Sequence, residues 1–366
     1  MFNNHLLRYA TGAAAPVQIE RRFRMGNFGF GRTLHARIVP VALACGIVLL
    51  FAAATVATAA TSQEQATAAV QVTYGTVKVN GLNIAYREAG NPASPKLVLL
   101  HGFPASSHQY RDLIRVLGDR FHVIAPDYPG FGDSDTPDPA TYGYTFDKIS
   151  EVVEGFLTIK GFDHYGLFVQ DYGGPVGFRI LARHPEALDW LIIQNTNAYE
   201  IGFTAAWDGF RGALWKNRSA ETETPLAGFL THDAIKGIYL HGAKSPDLMS
   251  PDNWESDYGF MQRPHAIRMN LDLFYDYRTN VPLYPKWQAF LRDRQPKTII
   301  FWGQDDVFFT KEGGEAYLKD LPNAEMHRLV GGHFAVEDNL EYISTNMHRF
   351  YDTKVAVGKV ASAGKQ

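Results

Sequence analysis

From about Val70 the chain alternates short, nearly continuous apolar runs with longer stretches in which apolar residues recur at helical spacing. That alternation predicts a mostly parallel α/β sheet covered by helices. Val72 to Val79 and Leu82 to Arg87 flank Asn80-Gly81, a type I′ turn dipeptide, and predict an opening hairpin. Lys96 to Leu100, Phe121 to Ala125, Tyr165 to Val169, Leu188 to Ile193, Thr298 to Trp302 and Glu325 to Leu329 read as strands. Ser107 to Leu117, Phe146 to Ile159 and Gly173 to Ala182 read as helices; in the second, Ile149, Val152, Val153, Phe156 and Leu157 share one face. Residues 197–290 interrupt the alternation. They carry Trp207, Trp215, Trp254, Trp287 and many Tyr and Phe without a parallel-strand signal, and are expected to form a helical cap inserted between core segments 61–196 and 291–354. Most of these aromatics serve packing within the cap. The end, 355–366, is small and polar and reads as a flexible tail.

Residues 1–60 differ in kind. They hold six arginines against a single acid, Glu20, followed by an apolar run of 23 residues from Ile38 to Ala60. The basic flank, the Leu49-Leu50-Phe51 centre and the small residues Ala57-Thr58-Ala59 make the three parts of a secretory signal, with cleavage expected near Ala59 and Met25 as a second candidate start. Export to the periplasm or medium follows. The alternative is a membrane anchor formed by residues 38–60, which are long enough to span a bilayer although Pro40 and Gly46 weaken them. Cleavage would take the net charge from −3 to −8 and remove Cys45, the sole cysteine. An acidic chain argues against a nucleic-acid partner, and one cysteine excludes a disulfide framework or a zinc ribbon. No metal-ligand cluster or phosphate-binding loop stands at the needed spacing, so no cofactor is expected.

Three polar clusters fall at strand ends. Val169-Gln170-Asp171-Tyr172-Gly173-Gly174 has the layout of a nucleophile elbow, a strand turning sharply into a helix, with Asp at the nucleophile position. There is no Gly-x-Ser-x-Gly in the chain, so the serine esterase reading lacks its central residue. An Asp here could instead cap the following helix. A carboxylate nucleophile would attack a strained ring or a carbon bearing a leaving group and form an ester that water later cleaves. Gly303-Gln304-Asp305-Asp306 follows another strand, where Asp306 is the better candidate to orient a histidine and Asp305 reads as exposed. Gly331-Gly332-His333-Phe334 then offers an imidazole on a glycine-flexed loop. The order Asp171, Asp306, His333 is that of nucleophile, acid and histidine. After Leu100, His101-Gly102-Phe103-Pro104 lets backbone approach the site, and the N–H groups of Phe103 and Tyr172 are candidates for an oxyanion hole. His101 reads as a turn-stabilising residue.

These motifs, with Asp127-Tyr128-Pro129-Gly130-Phe131-Gly132-Asp133-Ser134, resemble those of the α/β-hydrolase superfamily over about Val72 to Tyr351. Within it they are similar to the epoxide hydrolase and haloalkane dehalogenase group with aspartate nucleophiles. The resemblance implies an α/β-hydrolase fold with a helical cap, a cis Pro104, and a small hydrophobic substrate. Tyr277-Arg278-Thr279-Asn280 resembles the epoxide hydrolase segment carrying a lid tyrosine, which implies that Tyr277 hydrogen-bonds an epoxide oxygen; Tyr275 is a second candidate for the pocket, and Tyr239 a further lid tyrosine. Gln170 before Asp171 looks more like the dehalogenases, yet Tyr172 stands where that group has Trp, leaving Trp215 or Trp207 of the cap to donate an N–H to halide. Asn195, where some relatives place the acid, is an amide and favours Asp306 for that role. The chain is thus expected to open epoxides to diols, with dehalogenation as the alternative and non-catalytic binding of a hydrophobic ligand as a reading of another class.

Overall fold

In the computed structural model, which describes residues 70–357, Asn80 and Gly81 both take left-handed backbone, with φ of 49° and 88°. They close the predicted turn between β1 (Val72–Val79) and β2 (Leu82–Ala89). The remaining strands are β3 (Lys96–Leu100), β4 (His122–Pro126), β5 (Tyr165–Gln170), β6 (Leu188–Gln194), β7 (Thr298–Gly303) and β8 (Glu325–Leu329). They form one eight-stranded sheet in the order β1-β2-β4-β3-β5-β6-β7-β8. β1 and β2 pair antiparallel, as do β2 and β4, and every later pair is parallel. Parallel strands are buried on both faces, which is why they read as unbroken apolar runs. In β5, Leu167 and Val169 pack into the cluster on one face and Phe168 into that on the other.

The order β4-β3-β5 means that the chain leaves β3 to one side and returns to its other side. Loops after β3 and β5 therefore diverge from a common crevice at their carboxyl ends, where open α/β sheets bind ligands. Leu100 of β3 lies in register with Val169 of β5, so Gly102 and Asp171 leave the sheet at the same level.

The helices of five or more residues that flank the sheet are α1 (Leu113–Leu117), α2 (Phe146–Ile159), α3 (Gly173–Arg183), α8 (Lys311–Asp320) and α9 (Leu340–Phe350), the last two numbered after the four helices of that length in the insertion. The expected helix from Ser107 to Leu117 is split into a 3-10 turn, Ser107–Tyr110, and α1. The break falls beside Tyr110, whose hydroxyl donates to the Leu100 carbonyl at 2.9 Å and pins the turn beneath β3. Residues 355 and 356, expected at the start of a flexible tail, are helical. Helical backbone continues from α9 through Tyr351–Ala356, and Val355 is buried in the cluster that holds Phe121 and Tyr351. The proposed signal, residues 1–60, and residues 358–366 lie outside the described residues.

Between β6 and β7 come α4 (His232–Leu240), α5 (Asp252–Met261), α6 (Ala266–Asp276) and α7 (Tyr284–Arg294), with 3-10 and π turns and no named strand among them. Arg179 of α3, 4% exposed, ties this segment to the core. Its guanidinium donates to Asn280 Oδ1 at 2.6 Å, Thr279 Oγ1 at 3.1 Å and Asp147 Oδ1 at 2.6 Å.

Candidate active site

Asp171 sits where β5 gives way to α3, with φ of 45°, a left-handed conformation that a non-glycine residue adopts only when its surroundings enforce it. Gly102 is one of those surroundings. A Cβ at residue 102 would lie 2.3 Å from Gln170 Oε1 and 2.4 Å from the Asp171 Cβ, so only glycine lets the β3 loop reach the elbow. The Phe103-Pro104 bond is cis. Phe103 N–H donates to Asp171 Oδ1 at 2.7 Å, and the Tyr172 N–H also hydrogen-bonds the carboxylate. The two N–H groups expected to form an oxyanion hole thus converge on Asp171 itself.

Burial raises the Asp171 carboxyl to about 6, against the opposing pull of His333 and the two N–H groups. His333 is fully buried, and its Nδ1 lies 3.1 Å from both oxygens of Asp306. Burial lowers its basicity, but Asp306 and then Asp171 outweigh that and hold the imidazole above its usual value. Asp306, not Asp305, therefore meets the histidine. The buried Asn195 holds the carboxylate from behind: its Nδ2 donates to Asp306 Oδ2 at 2.8 Å and to the Gly303 carbonyl at 3.0 Å. Phe308 N–H donates to Asp306 Oδ1 at 2.8 Å. Asn195 thus serves the acid, a role that its place at the end of β6 allowed but its residue type alone did not reveal. His101 is buried too, stacks on Tyr128 at 3.9 Å and accepts from Tyr128 N–H at 3.2 Å. Burial drops it to about 3, which keeps it neutral and structural.

Asp171 lines a narrow cavity of about 20 Å³ whose other walls are aromatic: Phe103, Phe210, Phe229, Phe274, Phe308, Trp207, Tyr172 and Tyr277. Tyr277 is fully buried, and its hydroxyl makes no hydrogen bond of normal geometry, nor does that of Tyr284, the polar group that influences it most. Burial first, then Tyr284 and Asp171, push its ionisation well above 10, so it stays a phenol. Tyr275 is not in this wall. Phe274 and Tyr277, three residues apart, face the cavity together, whereas Tyr275 turns to a separate polar cleft where Arg278 stacks 3.5 Å from its ring centre. Tyr239 is engaged elsewhere, with its hydroxyl donating to Asp257 Oδ2 at 2.6 Å and its ring stacked on Phe334 at 3.9 Å. Trp215 stacks on Tyr277 at 6.1 Å but gives its indole N–H to the Phe274 carbonyl at 2.9 Å, and Trp207 gives its own to the Phe308 carbonyl at 2.9 Å. Both indoles expected as halide donors are spent on backbone. Among the described residues no group of three or more His, Cys, Asp or Glu could hold a metal ion, and no helix is long and apolar enough to cross a membrane.

Residues 95–340 match the family model of the alpha/beta hydrolase fold. An uncharacterized hydrolase of Saccharomyces cerevisiae is 35% identical over 72% of this chain and 92% of its own length. A cis-3-alkyl-4-alkyloxetan-2-one decarboxylase of Shewanella oneidensis is 28% identical over 74% of this chain and 86% of its own. Solved epoxide hydrolases and haloalkane dehalogenases share the fold. The structure of an unliganded epoxide hydrolase, CorEH, covers 77% of this chain and 99% of its own with a TM-score of 0.63 at 21% identity, a likeness of fold alone. The chain is a hydrolase of the α/β-hydrolase family.

Proposed function

We propose that the protein opens epoxides to diols through an ester on Asp171. The observation that carries this reading is the cavity's polar inventory: the carboxylate of Asp171 and the phenol of Tyr277, whose nearest polar neighbour is the Tyr284 hydroxyl, line one aromatic space, while the neighbouring indole N–H groups are already bonded to backbone. An epoxide carbon needs a nucleophile on one side and a hydrogen-bond donor on the ring oxygen, which leaves as an alkoxide. A halide needs N–H donors.

In the first step a carboxylate oxygen of Asp171 attacks a ring carbon, the carbon–oxygen bond breaks, and Tyr277 hydrogen-bonds the oxygen that departs. The oxygen held by Phe103 becomes the carbonyl oxygen of the ester. In the second step His333 takes a proton from water, and the hydroxide adds to the carbonyl carbon of the Asp171 ester. The resulting oxyanion meets the N–H groups already aimed at that position. Collapse frees the ester oxygen, which takes the proton held by His333, and the proton on the added hydroxyl passes to the ring oxygen freed in the first step, so both protons of the water end on the diol and the carboxylate is restored. The water oxygen enters Asp171 first. Esterification also cancels the charge of Asp171, one of the two carboxylates that make His333 basic, so the imidazole becomes easier to hold neutral at the stage where it must act as a base.

The test is His333→Gln, which should stall after the first step. The variant is incubated with an epoxide, a haloalkane and a β-lactone, the ring named by the Shewanella relative, and its intact mass and modified peptide are recorded. A gain equal to the whole epoxide on Asp171 is the expected result. A gain of haloalkane less hydrogen halide would reassign the site to dehalogenation, a β-lactone adduct alone would reassign the ring, and no adduct in the folded protein would move the reading to ligand binding.

A further inference from the structure

The cavity over Asp171 is too small for an epoxide. About 20 Å³ is the room that one water needs, and an epoxide has three ring atoms besides its substituents. One wall has to give way. Eight of the nine lining residues are at most 5% exposed, and several are pinned: Phe103 N–H is spent on Asp171, Phe308 N–H on Asp306, and the Trp207 indole on the Phe308 carbonyl. The ninth, Phe229, is half-buried, so its ring stands between the cavity and water. It belongs to a short 3-10 turn, Leu226–Leu230, with long backbone hydrogen bonds at its ends: Gly228 N–H to the Pro225 carbonyl at 3.3 Å and Thr231 N–H to the Gly228 carbonyl at 3.4 Å. The preceding Gly228 is exposed, and a Cβ there would meet nothing within 4 Å, so the backbone beside Phe229 is free to turn. Among the described residues its ring neighbours are Phe210 at 5.5 Å and Phe308 at 6.0 Å, whereas Tyr172 and Tyr277, which meet at 6.1 Å, mark the reacting end beside Asp171.

We propose that Phe229 is the specificity-determining residue of the site: its ring turns outward to admit the substrate, and the space that it leaves receives the substituent on the epoxide. A phenylalanine held by apolar contacts changes rotamer at small cost, and no hydrogen bond of its side chain has to break. The proposal rests on the reading of Asp171 as the nucleophile that opens epoxides. With a ring carbon at Asp171 and the ring oxygen at Tyr277, a substituent is accommodated only where a wall moves, and the pinned walls leave no second place of that kind. The substrate class is therefore a terminal epoxide with one substituent, apolar because the walls are aromatic, and no larger than the phenyl ring that Phe229 withdraws.

The experiment has two arms on the full protein. In the first, kcat/KM is measured for propylene oxide and styrene oxide with wild type, Phe229→Ala and Phe229→Trp. The ratio of styrene oxide to propylene oxide is expected to rise about tenfold or more in Phe229→Ala, where room for a phenyl ring is always open, and to fall by as much in Phe229→Trp. A ratio within about threefold of wild type in both variants overturns the proposal, because a merely structural role would lower both rates together. Stilbene oxide, which carries a phenyl group on each ring carbon, should stay unconverted in all three, and its conversion by wild type would overturn the limit to one substituent. The second arm needs no chemistry. Benzene is added near its aqueous saturation and the Tm is followed. It should raise the Tm of Phe229→Ala by about 2 °C more than that of wild type and leave Phe229→Trp unmoved. Equal shifts in all three would mean that the ring does not border the cavity and would overturn the proposal even where epoxides are turned over. The expected shifts without turnover of either epoxide would instead remove the epoxide reading and keep Phe229 as the moving wall. Phe229→Leu replaces Phe229→Ala should that variant fail to fold, with the same directions expected in both arms.

Discussion

Asp171 is placed where ionisation is costly, and that cost can be read by pH. Its carboxyl is raised to about 6 by burial, so below that value the nucleophile is progressively protonated. Ester formation in wild type is expected to fall about tenfold per pH unit below about 6 and to level off above it, measured by quenched single turnovers, and the break should lie higher in His333→Gln, which loses the pull of the imidazole on Asp171. The sign for stability is the reverse. A carboxyl raised on folding favours the folded state most below its unfolded value, near 3.8, and that contribution is lost as pH rises through about 6. Asp171→Asn should therefore unfold at higher denaturant than wild type at pH 8, by up to about 3 kcal/mol, and lose this advantage near pH 4. The same substitution should abolish turnover. Tyr277→Phe separates the two chemistries: it should slow ester formation from an epoxide by about 10²-fold and leave a haloalkane unaffected. The residues that carry these effects were readable because each stands in a short pattern at a strand end. Tyr275 was misplaced because its neighbour Tyr277 shares a face with Phe274, and one residue along a helix turns the side chain about 100° away.

Among the elements, the strands were the most legible. Those buried on both faces appear as unbroken apolar runs, and β8 at the edge kept its bounds although its burial is partial. The segment between β6 and β7 was legible only as an interruption. Its aromatics obey no period because they pack on a cavity and on one another, through turns too short to leave a repeat, such as Tyr277–Thr279 and Val281–Leu283. Arg179 of the core is one of the side chains that hold this segment over Asp171, together with Asp276, which accepts from the Phe146 N–H at 2.8 Å. Arg179 reaches Thr279 and Asn280, two and three residues beyond Tyr277, and a guanidinium in the middle of α3 gave no hint of that reach. Arg179→Met keeps the apolar stem and removes the bonds, leaving Asn280 without a partner in the interior. It should cost about 3 kcal/mol in denaturant unfolding and, through a displaced Tyr277, lower ester formation from epoxides more than from haloalkanes. Equal losses with both substrates would mean that Arg179 serves the fold and not the tyrosine.

At the scale of the whole molecule, the site draws on every segment between β3 and the loop after β8, so the chain from Val70 to Val357 must fold as one to bring Phe103, Asp171, Tyr277, Asp306 and His333 together. Residues 1–60 carry six arginines and a 23-residue apolar run. We propose that they direct export and are then removed. The argument is compositional: small residues at 57–60 suit a signal peptidase, and the chain that remains is cysteine-free and carries −8, so it depends on no disulfide in an oxidising compartment. Expressed in full in a bacterium with an outer membrane, the protein is expected in the osmotic-shock fraction with an intact mass that begins at or near Ala60. A mass that includes residues 38–60, recovered from membranes and released by detergent but not by salt, would replace the signal with an anchor. Activity distinguishes the two no further, since both would present the same cavity and the same Asp171 to a hydrophobic substrate.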